Sequence, residues 1–455
     1  MDYILRFLTD YAEALTYEKL PKEVVHEVKR RVIDSLGCAL GGYNMVPPKI
    51  ARAHTLEVTA KPGATVLGTN HRTSAELAAF ANGVMVRYLD FNDTSHSRAG
   101  GHPSDNIPAV MAAAEYAKAD TRALITGIVL AYEVMDRFGD YCPITINRGW
   151  DYPTYEAFST AAGAAKVFGL SPEQTANALA LAVVPNAATW QTRVGRLSMW
   201  KGCASGNAGR NGVFAALLAK RGLTGPDEAF AGTNGFLKQV AEGVSLELKD
   251  FGGEGRLFKI QEAMLKYYPA DYETQCAVHP ALELRRELGG RVDDIEKIIV
   301  DTYRLAVVVA ADTPDKWNPK TRETADHSLP YVLSLAFTRG NVWLDDFTPE
   351  RINDPQLRSL MPKIEVHEKA EYTQAFPESQ YFHIEVVTRS GQHLVRETRY
   401  AKGHSKNLMS DAEIEDKFNR LAAPLLKPDR ISKILERLWH LEEVSVPEIM
   451  SLLKL

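Results

Sequence analysis

The chain has 455 residues, 45% hydrophobic and 24% charged, with a net charge of -5, an ordinary globular composition with room for two or more domains. The acidic balance and the lack of a basic block exclude a nucleic-acid partner. No apolar run reaches the roughly 18 residues of a membrane span, and Cys38, Cys142, Cys203 and Cys276 are too scattered for a CxxC metal pair or a cysteine-ligated cluster. Separate thiols, and an N-terminus without the basic-then-apolar order of a signal peptide, predict a cytoplasmic protein.

The first 265 residues read mostly as helix. Val24, Val25, Val28, Val32, Ile33 and Leu36 recur at close to the 3.6-residue period. Gly37, Gly41 and Gly42 then mark either a stop or a close packing contact. Residues 76–89 and 107–115 are apolar and helix-like. Between them lies the most polar knot of the chain, with Asp90, Asp93, Thr94 and His96 followed by Gly101, His102, Pro103, Ser104, Asp105 and Asn106. Buried polar groups without partners are costly, so such a cluster between buried helices calls for a reason. Asp90 and Asp93 are three apart and share a face if the helix continues through them. Neighbouring carboxylates push their pKa values apart, which suits one to act as base and one as acid. Two rival readings are an interhelix loop whose Asp and Thr cap helices, and a cation site made of Asp90, Asp93, His96 and His102.

Further along, Ser171, Pro172 and Gln174 form a strong helix start. The helix they open, nearly all Ala, Leu and Val over 176–184, is expected to be the buried centre of its domain. Residues 200–212 contain four glycines together with Lys201 and Arg210, and Arg193 and Arg196 lie just upstream. Such cations suit a carboxylate-rich substrate, and small residues let a ligand or a backbone approach closely. The bland alternative is a tight helix crossing with surface cations. The GxxxxGK[ST] order of a phosphate loop is absent, as are convincing GxSxG, HExxH and GxGxxG motifs.

After about residue 268 the pattern changes. Residues 295–303 and 382–388 are β-branched and partly alternating, and 393–397 completes a hairpin with the latter. Residues 325–337 read as a helix, with Asp326 or Ser328 as its cap. His327 and Tyr331 are four apart and share a face. Ser410 to Glu413 is a capping box, and Phe418, Leu421, Ile431, Ile434, Leu435 and Leu438 return to helical spacing. The simplest architecture is mainly α: a large all-helical domain, 1–268 plus 404–455, with a smaller α+β domain, 269–403, inserted in it.

Taken together, the motifs at 88–94, 101–106, 199–202, 206–210, 268–275 and 326–331 resemble the MmgE/PrpD family in identity and order. The resemblance implies a helical domain with an inserted α+β lid, a homodimer, and catalysis without an iron–sulfur cluster, metal or other cofactor. It places Asp90, Thr94, His102 and Tyr331 among the catalytic residues. Lys201, Arg210, Gln275 and His327 are placed around the substrate. Decarboxylase-like relatives carry His near the position of Gln275. The pair Thr274-Gln275 looks instead like the Ser-Gln of the family's dehydratases. His279 is a possible spatial substitute for that His.

The implied activity is that of a hydro-lyase, a carbon–oxygen lyase that dehydrates a citrate-like hydroxy polycarboxylate, foremost 2-methylcitrate to 2-methyl-aconitate. Asp90 and His102 are expected to form the acid–base pair, and Lys201 and Arg210 to bind carboxylates. The alternatives are a decarboxylase, isomerase or epimerase of a related di- or tricarboxylate, or a non-catalytic carboxylate-binding relative.

Overall fold

The computed structural model describes residues 1–145, 148–195 and 197–455; Arg196, one of the expected cations, lies outside them. In chain order the main elements are α1 (Lys22–Gly42), α2 (Ala75–Arg87), α3 (Asn106–Ala117), α4 (Thr121–Tyr141), α5 (Pro153–Phe168), α6 (Pro172–Val183) and α7 (Ala204–Lys220). There follow α8 (Tyr272–Glu287), β1 (Ile295–Thr302), α9 (Leu329–Arg339), β2 (Ile364–Glu368), β3 (Phe382–Thr388), β4 (His393–Thr398), α10 (Asp411–Ala422) and α11 (Pro428–Trp439). The fold is mainly α. It divides into two compact units. The first contains Met1–Gly195, Met199–Met264 and Ser410–Leu455; the second contains Leu265–Met409 and residues 197–198.

In the first unit the central helix is α5, not α6 as the sequence pattern suggests. All but one of the sixteen residues of α5 are buried, and it packs against α3, α4, α6 and α7. Its run Ala161, Ala162, Gly163, Ala164 and Ala165 has little side chain on any face, so neighbours approach from all sides. The α6 helix starts at the expected capping box of Ser171 and Gln174, but its C-terminal Val184 is 58% exposed.

The glycines of α1 and α7 are packing devices within helices. A Cβ at Gly41 would stand 2.6 Å from Leu421 of α10, and one at Gly206 would stand 2.8 Å from the Phe80 carbonyl of α2. The helix of 20–36 therefore continues through Gly37 and Gly41 to Gly42. Helix α7 likewise begins at Ala204, inside the glycine-rich stretch. Among the described residues no helix is long and apolar enough to cross a membrane.

The second unit is a four-stranded mixed sheet in the order β2-β1-β3-β4. β1 pairs in parallel with β2 and antiparallel with β3, and β3 with β4 form the expected hairpin. Ile298, Val300, Ile384 and Val386 are buried on the sheet, which α8 covers at β3 and β4. The helix expected over 325–337 is α9, shifted to begin at Leu329, because Ser328 takes the cap position and accepts from the Tyr331 amide at 3.1 Å.

Candidate active site

α2 ends at Arg87, and the chain turns at Asp90, which holds a left-handed backbone with φ 53°. Asp tolerates this region better than most residues. The turn separates Asp90 from Asp93, so the shared helix face expected of them does not form. Asp90, 1% exposed, accepts from Arg87 Nη1 at 2.7 Å through Oδ1 and from Lys201 Nζ at 2.9 Å through Oδ2. A buried carboxylate between two cations is ionised, and each of these hydrogen bonds is charge-assisted. Burial works against the Arg87 charge, but Asp90, Tyr152 and Asp105 outweigh it and hold the guanidinium above its ordinary range.

Asp93 serves another purpose. Its carboxylate accepts from the Tyr132 hydroxyl at 2.7 Å and from the Ser104 amide at 2.9 Å, with Arg31 Nε at 3.7 Å. It thus ties the 90–96 loop to α1, α4 and the turn before α3. Thr94 donates to the Gly101 carbonyl at 3.1 Å, bracing the strand-like crossing of the two loop segments. His96 is half-buried on the same loop. The four residues weighed as a cation site therefore do not converge, because the Asp93 carboxylate is turned onto Tyr132 and Ser104.

His102 is fixed from both sides. Its Nδ1 lies 2.6 Å from the Asp93 carbonyl, which can only accept, so Nδ1 carries the proton. Its Nε2 lies 2.9 Å from Arg87 Nη2, which can only donate, so Nε2 presents a lone pair. Asp90 Oδ1 stands 3.6 Å from the same nitrogen. The network assigns a neutral imidazole with its basic nitrogen toward the Asp90–Lys201 pair.

Behind Arg87 lies a layer in which sequence reasoning named Asp105 but gave no role to Arg87 or Tyr152. Arg87 Nε donates to the Tyr152 hydroxyl at 3.0 Å, which in turn donates to Asp105 Oδ2 at 3.0 Å. Asn92 donates to the other Asp105 oxygen at 2.7 Å, and Ser205 lies 2.9 Å from the Tyr152 oxygen. Burial pushes the Asp105 and Glu156 carboxyls upward, and the Asp105 charge adds to the rise at Glu156. The available signal was Arg87 itself, a cation inside an apolar helix three residues before Asp90.

The cations sort differently from the expectation. Lys201, 4% exposed, reaches Asp90, and Arg193 Nε pairs with Asp151 at 3.0 Å. Arg210 is on the exposed face of α7, where its guanidinium donates to Asn211 at 3.1 Å. The structure brings Lys201, and not Arg210, to the Asp90 cluster. The reason is the start of α7 at Ala204, which puts Gly206 and Gly209 on the packed face and Arg210 on the open one.

In the second unit Gln275 is engaged by its own turn. Its carbonyl accepts from the Tyr268 amide at 3.1 Å, and its amide donates to the Tyr268 and Ala270 carbonyls at 2.9 and 3.0 Å. This use differs from the expected substrate contact. His327 lies between two carboxylates, Asp326 at 2.5 Å from Nδ1 and Asp271 at 3.3 Å from Nε2. The fully buried Tyr331 donates to the Asp346 carbonyl at 2.6 Å. His279 is exposed and pairs with Glu283 at 3.3 Å.

The MmgE/PrpD N-terminal domain matches residues 6–249 and the MmgE/PrpD C-terminal domain matches residues 268–441. The chain belongs to the MmgE/PrpD family. Among its relatives in that family, the mitochondrial 2-methylcitrate dehydratase of Yarrowia lipolytica is 28% identical, over 94% of this chain and 86% of its own. The 2-methylcitrate dehydratase of Salmonella typhimurium is 28% identical over 80% of this chain and 77% of its own. The human cis-aconitate decarboxylase is 28% identical over 94% of this chain and 90% of its own. The MmgE/PrpD domains together cover the Asp90 cluster and the His327 and Tyr331 segment.

Proposed function

We propose that this chain is a lyase that dehydrates a citrate-like hydroxy polycarboxylate, foremost 2-methylcitrate, by acid–base catalysis without a metal. The observation that carries this reading is the unprotonated Nε2 of His102, which accepts from Arg87 and stands 3.6 Å from Asp90 of the Asp90–Lys201 ion pair. Dehydration needs a base for a carbon-bound proton, a cation for the adjacent carboxylate, and a proton for the departing hydroxide. His102 is the base. Its Nε2 takes the proton from carbon, the C–H electron pair becomes the new C=C bond, and the C–O bond breaks. The imidazolium so formed is stabilised by Asp90 and returns its proton to the leaving hydroxide as water. The Lys201 ammonium binds the substrate carboxylate on which negative charge builds.

The dehydratase relatives support the reading, and so does Gln275, near the position where the family resemblance implies a His in decarboxylase-like relatives. A decarboxylase reading rests on the human relative, of equal identity. The separating experiment is proton NMR in deuterated water with 2-methylcitrate, citrate and cis-aconitate as substrates. Formation of the unsaturated acid from 2-methylcitrate supports dehydration. Loss of carbon dioxide from cis-aconitate, with 2-methylcitrate untouched, replaces it with decarboxylation. Binding of all three acids without turnover or exchange makes the chain a non-catalytic relative.

A further inference from the structure

The contacts of Arg87 raise a question that the acid–base reading leaves open. Arg87 is 2% exposed and uses all three of its nitrogens: Nη1 on Asp90, Nη2 on His102 Nε2, and Nε on the Tyr152 hydroxyl. An imidazole nitrogen has one in-plane lone pair. While Arg87 Nη2 donates to it at 2.9 Å, that lone pair is occupied and the base is unavailable. The Asp93 carbonyl at 2.6 Å keeps hydrogen on Nδ1, and the Arg87 contact is compatible with that tautomer alone. Removing Arg87 would release the lone pair from its donor, while the Asp93 carbonyl at 2.6 Å would still hold the proton on Nδ1.

We propose that Arg87, anchored by Tyr152, is a positioning residue that covers His102 Nε2 until a substrate carboxylate takes over the Nη2 donor, while the Asp93 carbonyl keeps the proton on Nδ1 throughout. A carboxylate accepts from a guanidinium far better than a neutral imidazole does, because the bond is then charged on both sides. The exchange is local, since Nε stays on Tyr152 and Nη1 stays on Asp90. The anchor is itself braced: the Tyr152 hydroxyl is aligned by Asp105 Oδ2 at 3.0 Å, and Asp105 is held by Asn92 at 2.7 Å. The Arg193 guanidinium, 5.1 Å from the centre of the Tyr152 ring, packs on its face. Substrate binding would thus uncover the base only when the acid to be deprotonated is in place.

This inference rests on the proposed role of His102 as base, but its test does not need turnover. Nitrogen-15 NMR of the histidine ring reports which nitrogen bears hydrogen and whether the other accepts a hydrogen bond. The free wild-type protein is expected to show His102 as Nδ1–H with a hydrogen-bonded Nε2, and saturating citrate is expected to move the Nε2 signal to that of an uncovered nitrogen. Tyr152→Phe, which removes one oxygen from a packed ring, is expected to loosen the Arg87 cover, so that the Nε2 signal of the free variant already lies toward the uncovered position. It should also lower kcat on the order of 10²-fold with a much smaller change in KM, the mark of a misplaced catalytic group. Arg87→Lys, with one donor centre in place of three, should shift the Nε2 signal in the free protein while Nδ1 stays protonated; where it fails to fold, Tyr152→Phe decides alone. A wild-type ring with hydrogen on Nε2 overturns the proposal, as does an Nε2 signal unmoved by citrate or unchanged in Tyr152→Phe. If the spectra behave as stated and no acid is converted, the positioning stands and the dehydratase reading falls. If 2-methylcitrate is dehydrated and the spectra do not respond, the reverse holds.

Discussion

Lys201 Nζ lies 2.9 Å from Asp90 Oδ2, although 111 residues separate the two in sequence. Both side chains are buried, so each is the reason the other can be charged there. The contact needs the left-handed turn at Asp90, which swings the carboxylate off the end of α2, and the start of α7 at Ala204, just after Lys201.

Breaking that pair from one side should cost more than removing it from both. Lys201→Met takes a charge-assisted donor at 2.9 Å from a buried carboxylate, a loss of roughly 3–5 kcal/mol by the usual cost of breaking a buried ion pair from one side. Adding Asp90→Asn should restore part of that stability while turnover stays low. Denaturant unfolding of the two single variants and the double variant checks this. A double variant with the summed loss of both singles would mean that the two residues do not act as a pair.

Arg210→Ala provides the contrast. The side chain is exposed on α7 and, among the described residues, bonded only to Asn211, so the change should alter stability by no more than about 0.5 kcal/mol and leave kcat/KM near wild type. A large rise in KM would restore Arg210 to the carboxylate-binding role that the family resemblance implies.

The second unit should show a pH dependence of stability. Burial pushes the Glu273 carboxyl up to about 8, and the Asp271 charge adds to this, while the Tyr303 hydroxyl and Lys266 oppose it. A folded-state pKa above the unfolded value means that the native protein binds more protons between the two. Stability contributed by this group is then full below about 4.5 and falls as pH rises toward 8. Glu273→Gln keeps an acceptor for Tyr303 and removes the titration. Its Tm should fall less than that of wild type between pH 5 and pH 8. Equal losses in both proteins would remove Glu273 from the account.

Much of the fold was legible in the sequence because helical and alternating periods survive wherever one face is buried. The hairpin of β3 and β4, the capping boxes at Ser171 and Ser410 and the long α1 helix all carry such signals. The burial of α5 was less legible than that of α6, since an alanine-rich run does not say on which sides neighbours will come. The residues Asp90, His102 and Lys201 were visible as unusual polar groups in apolar surroundings. Asp105 was visible as part of the same polar knot but not as a partner of Arg87 and Tyr152, because those roles depend on contacts between α2, the start of α5 and the turn before α3 that no local spacing records. The glycines of 200–212 read equally as a ligand loop or a helix crossing. Only the distance from Gly206 to the Phe80 carbonyl decides for the crossing.

Activity should survive exhaustive chelation. Both oxygens of Asp90 already accept from cations, and Asp93 is turned onto Tyr132 and Ser104. Loss of turnover with EDTA, restored by a divalent ion, would overturn the metal-free mechanism.

The central claim is that His102 Nε2 removes the carbon-bound proton. Proton NMR in deuterated water, comparing wild type with His102→Gln on 2-methylcitrate, tests it most directly. The account predicts that wild type forms the unsaturated acid and that His102→Gln slows it by roughly 10²–10⁴-fold. Substrate affinity should change far less, because Lys201 remains. Near-wild-type turnover by His102→Gln would contradict the account and reduce the Asp90 cluster to a buried interhelix cap.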